Sequence, residues 1–314
     1  MPRAARQLCG GFADALARTA QLLEEHISCD FVDLNMGCPI DLVVNKGAGS
    51  ALMQKPARIE QICRAMAPLL TAPLTLKMRT GYADDVSARV AHVLAPRFAA
   101  WGATALTLHG RSRAQRYTRT ADWAYIAQVG AAVAPTGLQL IGNGDVMAFT
   151  DYEEHLEAGG VATCMLARGA LVKPWLFTEI KERRHWDVSS SERFALLQRF
   201  ASHGLEHWGS DTKGVETTRR FLLEWLSFLH RYIPVGLLER LPQRLNLQPP
   251  VYVGRNDLET LMASPAPEDW VKISTLLLGP PPPGFRFEAK HKSNAYAAAS
   301  EAGAALYDAG NVNG

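Results

Sequence analysis

Residues 30–53, DFVDLNMGCPIDLVVNKGAGSALM, decide the fold of this chain. The first six of them alternate toward apolar character, with Phe31, Val32 and Leu34, and lead to Gly37-Cys38-Pro39. This pattern predicts a short buried strand with a cysteine just past its carboxyl end. The small residues at 47–50 form a turn whose backbone can approach a ligand closely or can begin a helix. Ligands of parallel α/β folds bind beyond the carboxyl ends of strands, so Cys38 is either a functional thiol or a small apolar residue in a turn.

The composition is that of an ordinary globular protein. Of the 314 residues, 47% are hydrophobic and 20% are charged, and the net charge of +2 does not by itself indicate a nucleic-acid partner. The sequence has no run of about 18 uncharged apolar residues, which argues against a membrane span, and its beginning lacks the apolar core of a secretion signal. The five cysteines have no short paired spacing, so no zinc site or disulfide framework is expected and an intracellular location, cytoplasmic or nuclear, is predicted.

Short apolar strands alternate with amphipathic helices between residues 7 and 168, which predicts a parallel sheet with right-handed crossovers. Strands are predicted at 7–10, 30–35, 73–78, 103–108, 137–141 and 161–166, and helices at 13–26, 59–70, 85–101 and 149–158. Polar residues occur at each strand end, as in a (β/α)₈ TIM barrel, whereas a doubly wound sheet gathers them at one switch point. We therefore predict an α/β fold of the TIM-barrel type that lacks the first two of the eight β/α units.

The pattern becomes purely helical after about residue 188, which predicts three parts. These are an incomplete barrel at 1–188, a smaller helical domain at 189–279 and a Pro-rich, disordered tail at 280–314. An apolar stripe at helical spacing, from Phe221 to Leu229, is interpreted as helical core and not as a base-stacking surface.

Several strand-end residues are candidates for a ligand site. Gly142-Asn143-Gly144-Asp145 and Ala167-Arg168-Gly169-Ala170 follow the last two strands, where such barrels commonly hold a phosphate through backbone N–H groups and a basic side chain. Lys77, in an apolar strand, is either an ammonium group directed at the barrel mouth or a solvated lysine. His109 is either a ligand-binding residue or a satisfied core histidine.

Six motifs, taken in order, resemble those of the tRNA-dihydrouridine synthases. They are D-x-N-M-G-C-P (33–39), K-G-A-G-S-A-L-M (46–53), L-K-M-R (76–79), L-H-G-R (108–111), G-N-G-D (142–145) and A-R-G-A (167–170). The string from Asn35 to Met53, together with G-R-N-D-L-E-T-L-M at 254–262, is most similar to the eukaryotic subfamily that acts on U47 in the tRNA variable loop. The resemblance covers residues 7 to about 188 through motifs and the remainder through its general layout.

This resemblance implies an enzyme that binds FMN, is reduced by NADPH and adds hydrogen across C5=C6 of a uridine in tRNA. By analogy, the flavin gives a hydride to C6 and Cys38 is the catalytic acid that gives its thiol proton to C5. Asn35 would position the uracil with its amide, which can both donate and accept. The implied cofactor-binding residues are Gln7, Lys77, His109, Asn143, Gly144, Asp145, Ala167 and Arg168.

A base within a folded tRNA has to be extruded, so affinity for the RNA must come mainly from phosphate contacts. Residues 111–119, RSRAQRYTR, contain four arginines and no acidic residue, and we name them the arginine segment. The expected tRNA-binding residues are Arg79, Arg111, Arg113 and Arg116, and in the helical domain Lys213, Arg219, Arg220, Arg231, Arg240 and Arg244. The resemblance implies neither a metal nor a membrane partner and leaves the oligomeric state open.

The chain departs from the family pattern in two respects. It lacks the first strand with its A-P-M-type turn and the unit after it, and it lacks the Cys/His-rich zinc-finger region typical of the U47 subfamily. We therefore expect this chain alone to bind FMN weakly and to reduce tRNA poorly. Two other interpretations stay open, an FMN barrel reductase of a small pyrimidine and a non-catalytic tRNA-binding remnant; the arginine segment and the helical domain argue against the first.

Overall fold

The computed structural model describes residues 4–237, 249 and 252–289. The chain forms two compact units, Met1–Val146 with Thr150–Leu166 and Met147–Phe149 with Ala167–Gly314. The first unit thus ends earlier than the boundary predicted at 188. The reason is that Val172 and Trp175 pack in one buried cluster with Val188 and Tyr232, which belong to the second unit.

A parallel sheet of six strands forms the first unit, and the strand order follows the sequence without a reversal. The strands are β1 Ala5–Leu8, β2 Phe31–Met36, β3 Leu74–Arg79, β4 Ala105–His109, β5 Gln139–Asn143 and β6 Thr163–Met165. A doubly wound sheet reverses its order at a switch point, so the order of the described strands fits the winding of a barrel. The α/β prediction with its six parallel strands is confirmed, and the lack of two further units stays a prediction.

Six α-helices accompany these strands: α1 Ala13–His26, α2 Asp41–Val44, α3 Pro56–Met66, α4 Ala91–Phe98, α5 Trp123–Val133 and α6 Phe149–Glu157. The sequence analysis placed α1 correctly but missed α5. Helix α5 is apolar along most of its length and shows little amphipathic periodicity, although Asp122 caps it by accepting a hydrogen bond from the backbone N–H of Tyr125.

Side-chain alternation gives the sheet one apolar and one polar face. Even-numbered strand residues such as Leu34, Leu76 and Leu108 are fully buried, and they share one cluster with apolar residues of α1, α3, α4 and α5. Odd-numbered residues of the same strands are mostly polar. Those that are buried are Asp33, Thr75, Arg79, Thr107, His109 and Asn143.

The regular elements described in the second unit are all helices. They are α7 Arg168–Val172, α8 Leu176–Glu182, α9 Ser190–Trp208, α10 Thr212–Leu229, α11 Asp257–Ala263 and α12 Pro267–Leu278. Most of the predicted stripe is core, since Leu222, Leu226 and Leu229 are buried in one cluster, whereas Phe221 is exposed and stacks on Trp208. Of the predicted tail, residues 290–314 lie outside the described part.

A buried ion pair joins two helices of the second unit. Arg193 of α9 donates to Glu259 of α11 at 3.0 Å, and both side chains are almost completely buried. Arg255 also donates to Glu259, at 2.8 Å, and pairs with Asp187 at 2.6 Å. Hydrogen bonds from Arg255, with the charges of Arg255 and Arg193, lower the pKa of Glu259 to about 2.

Glu259→Gln should destabilise the second unit and flatten its acid dependence. Because the pKa of Glu259 is low in the folded state, its stabilisation is present above the usual glutamate pKa and is lost as the pH falls toward 2. Breaking a buried pair costs about 3–5 kcal/mol at neutral pH. Urea unfolding at pH 6 and pH 3 measures both effects. Glu206→Gln, at an exposed position of α9, is the control, and an equal acid dependence in parent and Glu259→Gln would contradict the assignment.

Leu34→Ala should lower the free energy of unfolding by about 2–5 kcal/mol, because it leaves a cavity between the sheet and its helices. Leu34 is fully buried, whereas Leu22 of α1 is 56% exposed. Leu22→Ala is therefore the matched control, and we expect it to change stability little. Similar losses in the two variants, measured by urea unfolding, would show that the even-numbered face is not the core.

Candidate active site

A chain of hydrogen bonds crosses the polar face of the sheet from β3 to β1 and back to β2. Thr75 Oγ1 donates to Asp33 Oδ1 at 2.7 Å, and Gln7 Nε2 donates to Asp33 Oδ2 at 2.7 Å. Asn35 Nδ2 in turn donates to Gln7 Oε1 at 3.0 Å. Burial raises the pKa of Asp33, and the bonds from Gln7 and Thr75 oppose that shift. Asp33 is therefore the acceptor that fixes the amide of Gln7, a role that the sequence analysis did not foresee.

The turn that carries Cys38 is held by this chain. Asn35 Oδ1 accepts the backbone N–H groups of Gly37 at 3.0 Å and of Cys38 at 2.9 Å. On the other side, the Ser50 N–H donates to the Cys38 carbonyl at 3.1 Å. Gly49 has φ +59°, and a Cβ there would lie 2.9 Å from that carbonyl and 3.0 Å from the Cys38 Cβ. The small-residue stretch 47–50 thus packs against the cysteine itself.

These bonds reduce the number of hydrogen bonds that the Asn35 side chain can make with a substrate. Its carbonyl oxygen has two lone pairs, and both are directed to backbone N–H groups of the cysteine turn. One amide hydrogen goes to Gln7. The expectation that the amide both donates to and accepts from a uracil is therefore too broad, because only a single N–H donor is left for it.

Lys77 lies on the same face as the cysteine turn. In the register of the sheet it pairs with Asn35 of β2 and Thr107 of β4. Its Nζ donates to Asn143 Oδ1 of β5 at 3.3 Å, and Asn143 Nδ2 donates to the Met165 carbonyl of β6 at 2.8 Å. Burial, helped by the charge of Arg79, lowers the pKa of Lys77 to about 8, against the opposite pull of Asp33. The solvated-lysine alternative does not fit this environment.

His109 and Arg111 form a buried pair at the end of β4. Arg111 Nη1 lies 3.2 Å from His109 Nε2. Because arginine only donates, Nε2 is the acceptor and the ring proton resides on Nδ1. Arg111 is 1% exposed. Its Nη2 donates to Asp145 at 2.8 and 2.6 Å, and its Nε donates to the Arg119 carbonyl.

Two of these placements revise the sequence prediction. A buried guanidinium that is bound to a carboxylate cannot lie against a tRNA phosphate, so Arg111 is a structural residue of the site. Asp145 was expected at a cofactor phosphate. Its carboxylate instead accepts from Arg111 and from the Ala121 N–H at 2.7 Å, which stabilises its left-handed backbone at φ +56°.

The predicted glycine turn at 142–145 is shaped by α5. A Cβ on Gly142 would lie 2.3 Å from the ring of Trp123, and Trp123 Nε1 donates to the Gly144 carbonyl at 2.9 Å. Gly144 has φ +129°, where a Cβ would lie 2.5 Å from Ala121. The glycines are thus required by a tryptophan and an alanine that the sequence analysis did not connect with the turn.

Arg79 is also buried, at 4% exposure. Its Nε donates to the Gly37 carbonyl at 2.9 Å, and its Nη1 donates to the carbonyls of Ser112 at 3.1 Å and Arg116 at 3.3 Å. Burial lowers its pKa. The expectation that Arg79 contacts the tRNA substrate conflicts with this position, because its donors serve backbone carbonyls and the Tyr117 side chain.

The exposed residues of the arginine segment include two arginines and the tyrosine, namely Arg116, Arg119 and Tyr117. Arg113 is partly buried and pairs with Asp41 of α2 at 2.7 Å. Arg119 pairs with Asp84 at 3.3 Å, on a side chain that is 67% exposed. Arg116 is exposed and Arg113 is half-buried, and contact of either residue with RNA stays a prediction.

The remaining predicted site residues belong to the second unit. Ala167 precedes α7, and Arg168 is its first residue; their part in a phosphate site stays a prediction. Lys213 and Arg220 are exposed, whereas Arg219 is fully buried and donates to Ser274 Oγ at 3.0 Å. Arg219 is therefore a core residue and not an RNA contact. Burial and the charge of Arg168 lower the pKa of Arg231 to about 10, and Arg240 and Arg244 lie outside the described residues.

Searches for two other kinds of site give no candidate in the described part of the chain. There, no three side chains among His, Cys, Asp and Glu converge as metal ligands would. No described helix has the length and apolar character needed to cross a bilayer.

The charge of Lys77 should titrate near pH 8 and should respond to Asp33. Asp33→Asn removes a negative charge that favours the ammonium form, so the pKa of Lys77 should fall further below its ordinary value. Competitive acetylation of Lys77 as a function of pH, read by mass spectrometry, measures this. Asp30→Asn, at the exposed amino end of β2, is the control. A midpoint near that of a free lysine, about 10.4, would contradict the buried position.

Comparison with known proteins identifies the family. The family model described as dihydrouridine synthase (Dus) matches residues 2–228. A "tRNA-dihydrouridine(47) synthase [NAD(P)(+)]-like" protein of Rattus norvegicus is 60% identical over 92% of this chain and 44% of its own length. The protein so named in Homo sapiens is 58% identical over 92% of this chain and 44% of its own. The tRNA-dihydrouridine(47) synthase of Cryptococcus neoformans is 54% identical over 92% and 42%.

The chain spans less than half the length of these curated relatives. The resemblance drawn from the motifs, including the similarity to the U47 subfamily, is confirmed by these matches. The chain belongs to the dihydrouridine synthase (Dus) family.

Proposed function

We propose that this chain carries the catalytic part of an FMN-dependent, NADPH-reduced enzyme that converts a uridine of tRNA, U47, to 5,6-dihydrouridine in the cytoplasm or nucleus. The observation that carries the proposal is the cysteine turn. Its backbone is fixed by Asn35 and Ser50 on the polar face of the sheet that also bears Lys77 and Asn143. The names of the relatives, which give tRNA as substrate and a nicotinamide as reductant, support it.

The donors on this face fit the polar edge of a flavin. Lys77 is a desolvated ammonium whose pKa is lowered to about 8, and such a group favours contact with electron-rich ring atoms. Gln7 and Asn143 present amides that are oriented by Asp33 and by the Met165 carbonyl. We assign to these three residues, with His109, the ring and ribityl contacts of FMN, and to Gly144 a contact with its phosphate end. The role of Ala167 and Arg168 in phosphate binding rests on the A-R-G-A motif alone.

The protein side of the reaction is a proton transfer. Bound FMN supplies the hydride that C6 of the uracil receives. Cys38 gives its thiol proton to C5, so that the S–H bond breaks as the C–H bond forms, and the thiolate then regains a proton from water. The remaining N–H of Asn35 donates to a uracil carbonyl oxygen, which stabilises the negative charge that develops on the ring. Because Asn35 also holds the Cys38 N–H, one residue sets the distance between the base and its acid.

Exposed cations of the arginine segment are the candidates for binding RNA phosphates. Arg116 and Arg119 are exposed beside Tyr117, and Arg113 lies at the surface next to Asp41. We assign phosphate contacts to Arg113 and Arg116, and we expect binding to weaken as salt rises. Lys213 and Arg220 of the second unit are further candidates, since both side chains are exposed.

One assay separates this function from its two alternatives. The purified chain is incubated with FMN, NADPH and unmodified tRNA, and flavin absorbance and dihydrouridine are measured. Reduction of free uracil in place of tRNA would favour a small-pyrimidine reductase. Binding of tRNA without flavin or dihydrouridine would favour a non-catalytic RNA-binding protein.

Cys38→Ala should slow single-turnover reduction of tRNA by about 10²–10⁴-fold, which is the usual contribution of a general acid. Flavin absorbance and tRNA affinity should stay within about twofold of the parent. Cys9→Ala is the matched control, because Cys9 is the exposed cysteine that follows the neighbouring strand β1. An unchanged rate in Cys38→Ala would remove this thiol from the mechanism.

A further inference from the structure

We propose that Arg79 is a positioning residue that couples the arginine segment to the cysteine turn, so that RNA held by the segment fixes the place of the Cys38 thiol. The proposal rests on the proposed function, since it takes the segment to bind RNA and the thiol to be the acid. It assigns Arg79 no contact with substrate.

The Arg79 guanidinium bridges two parts of the first unit. It lies at the end of β3, almost completely buried, and it donates in two directions. Nε donates to the Gly37 carbonyl in the cysteine turn. Nη1 donates to the carbonyls of Ser112 and Arg116 in the arginine segment. A planar fork of fixed donors suits such bridging, whereas the single ammonium of a lysine cannot hold both sides in the same way.

Arg79 binds the peptide group that joins Gly37 to Cys38. Asn35 accepts the N–H groups of Gly37 and Cys38, and the Ser50 N–H donates to the Cys38 carbonyl. Among the described side chains, Arg79 is the one that donates to the Gly37 carbonyl. Rotation of this peptide would move the Cys38 Cα and therefore its sulfur. Arg79 is the contact that resists this rotation from the β3 side.

The arginine segment has a left-handed residue at the point where Arg79 binds it. Arg116 has φ +47°, a left-handed conformation that is strained for a non-glycine residue. Its carbonyl accepts from Arg79, and its side chain is exposed. The Tyr117 ring lies 5.9 Å from the Arg79 guanidinium. A phosphate bound by the Arg116 side chain therefore acts on a turn whose backbone is tied to Arg79.

A second link runs over the surface in parallel with the first. Arg113 stacks on Tyr82 at 4.6 Å and pairs with Asp41, which opens α2 immediately after the cysteine turn. Asp41 is 68% exposed, so this pair is screened and weak. The buried Arg79 bridge is thus the stronger of the two connections between the segment and the turn.

The test compares Arg79→Lys with Arg116→Gln, which should have opposite phenotypes. Hydrogen exchange of the Cys38 and Ser50 amides should be at least about tenfold faster in Arg79→Lys and unchanged in Arg116→Gln. Affinity for tRNA should fall in Arg116→Gln and stay within about threefold in Arg79→Lys. Where turnover is measurable, Arg79→Lys should lower kcat with little change in KM. Unchanged exchange with a tRNA affinity as low as that of Arg116→Gln would overturn the proposal and make Arg79 a substrate contact.

A measurement on the unaltered chain covers the case in which Arg79→Lys does not fold. An oligoadenylate contains phosphates but no uridine, so it engages the arginine segment without placing a uracil beside Cys38. It should slow exchange of the Ser50 amide, and Arg116→Gln should abolish that effect. Protection confined to residues 111–119 would overturn the coupling. Exchange needs no turnover, so this result stands even if the chain forms no dihydrouridine and the proposed function fails.

Discussion

Parallel pairing in a fixed register is the constraint on which the rest of the first unit depends. Strands β2, β3 and β4 place their even-numbered side chains against the helices and their odd-numbered side chains on the polar face. A slip by one residue would exchange the faces and put Asp33 and Lys77 into an apolar core, where unpaired charges are very unfavourable. The register is therefore fixed by the difference in polarity between neighbouring residues, and the candidate site is the polar half of the same pattern.

The polar face is more than a set of hydrophilic side chains. Thr75, Asp33, Gln7 and Asn35 form a continuous line of hydrogen bonds that ends on the backbone of Cys38. Asp33 and Thr75 of this line are buried, whereas Gln7 is exposed. The hydrogen bonds hold the backbone of the cysteine turn in one position, which an acid needs if its proton is to reach one carbon atom of a base. The line spans β1 to β3, so the placement of the cysteine is a property of three strands and not of its own turn.

The sequence allowed the strands, the cysteine at a strand end and the family to be predicted, because each depends on a local pattern. Helix α5 was missed since it is apolar nearly all round, and a helix of that kind has no period to detect. Arg111 was expected at an RNA surface because it begins a run of arginines without acidic neighbours, which is typical of one, and Arg79 was expected there because it ends the L-K-M-R motif. Their partners are the side chain of Asp145 and the carbonyl of Gly37, which lie far away in sequence.

The same limit explains the domain boundary. The motif pattern continues through Arg168, so the barrel was extended to 188. The helices that follow β6 bury Val172 and Trp175 with Tyr232, and a contact across so many residues leaves no trace in local composition. Asn35 is a second example. Its residue type predicted an amide that donates to and accepts from the substrate, whereas its carbonyl oxygen accepts two backbone N–H groups of its own turn.

The turn after β5 is rigid before any ligand arrives. Trp123 closes it from α5, and Ala121 and Arg111 hold the left-handed residue that ends it. A loop that is already ordered gives up little conformational entropy on association, so a small anion bound there would keep more of its contact enthalpy as affinity. Helix α5 thus preorganises the turn through Trp123. Replacing the Trp123 indole would therefore raise the dissociation rate of a ligand bound at the turn, although the indole does not contact that ligand.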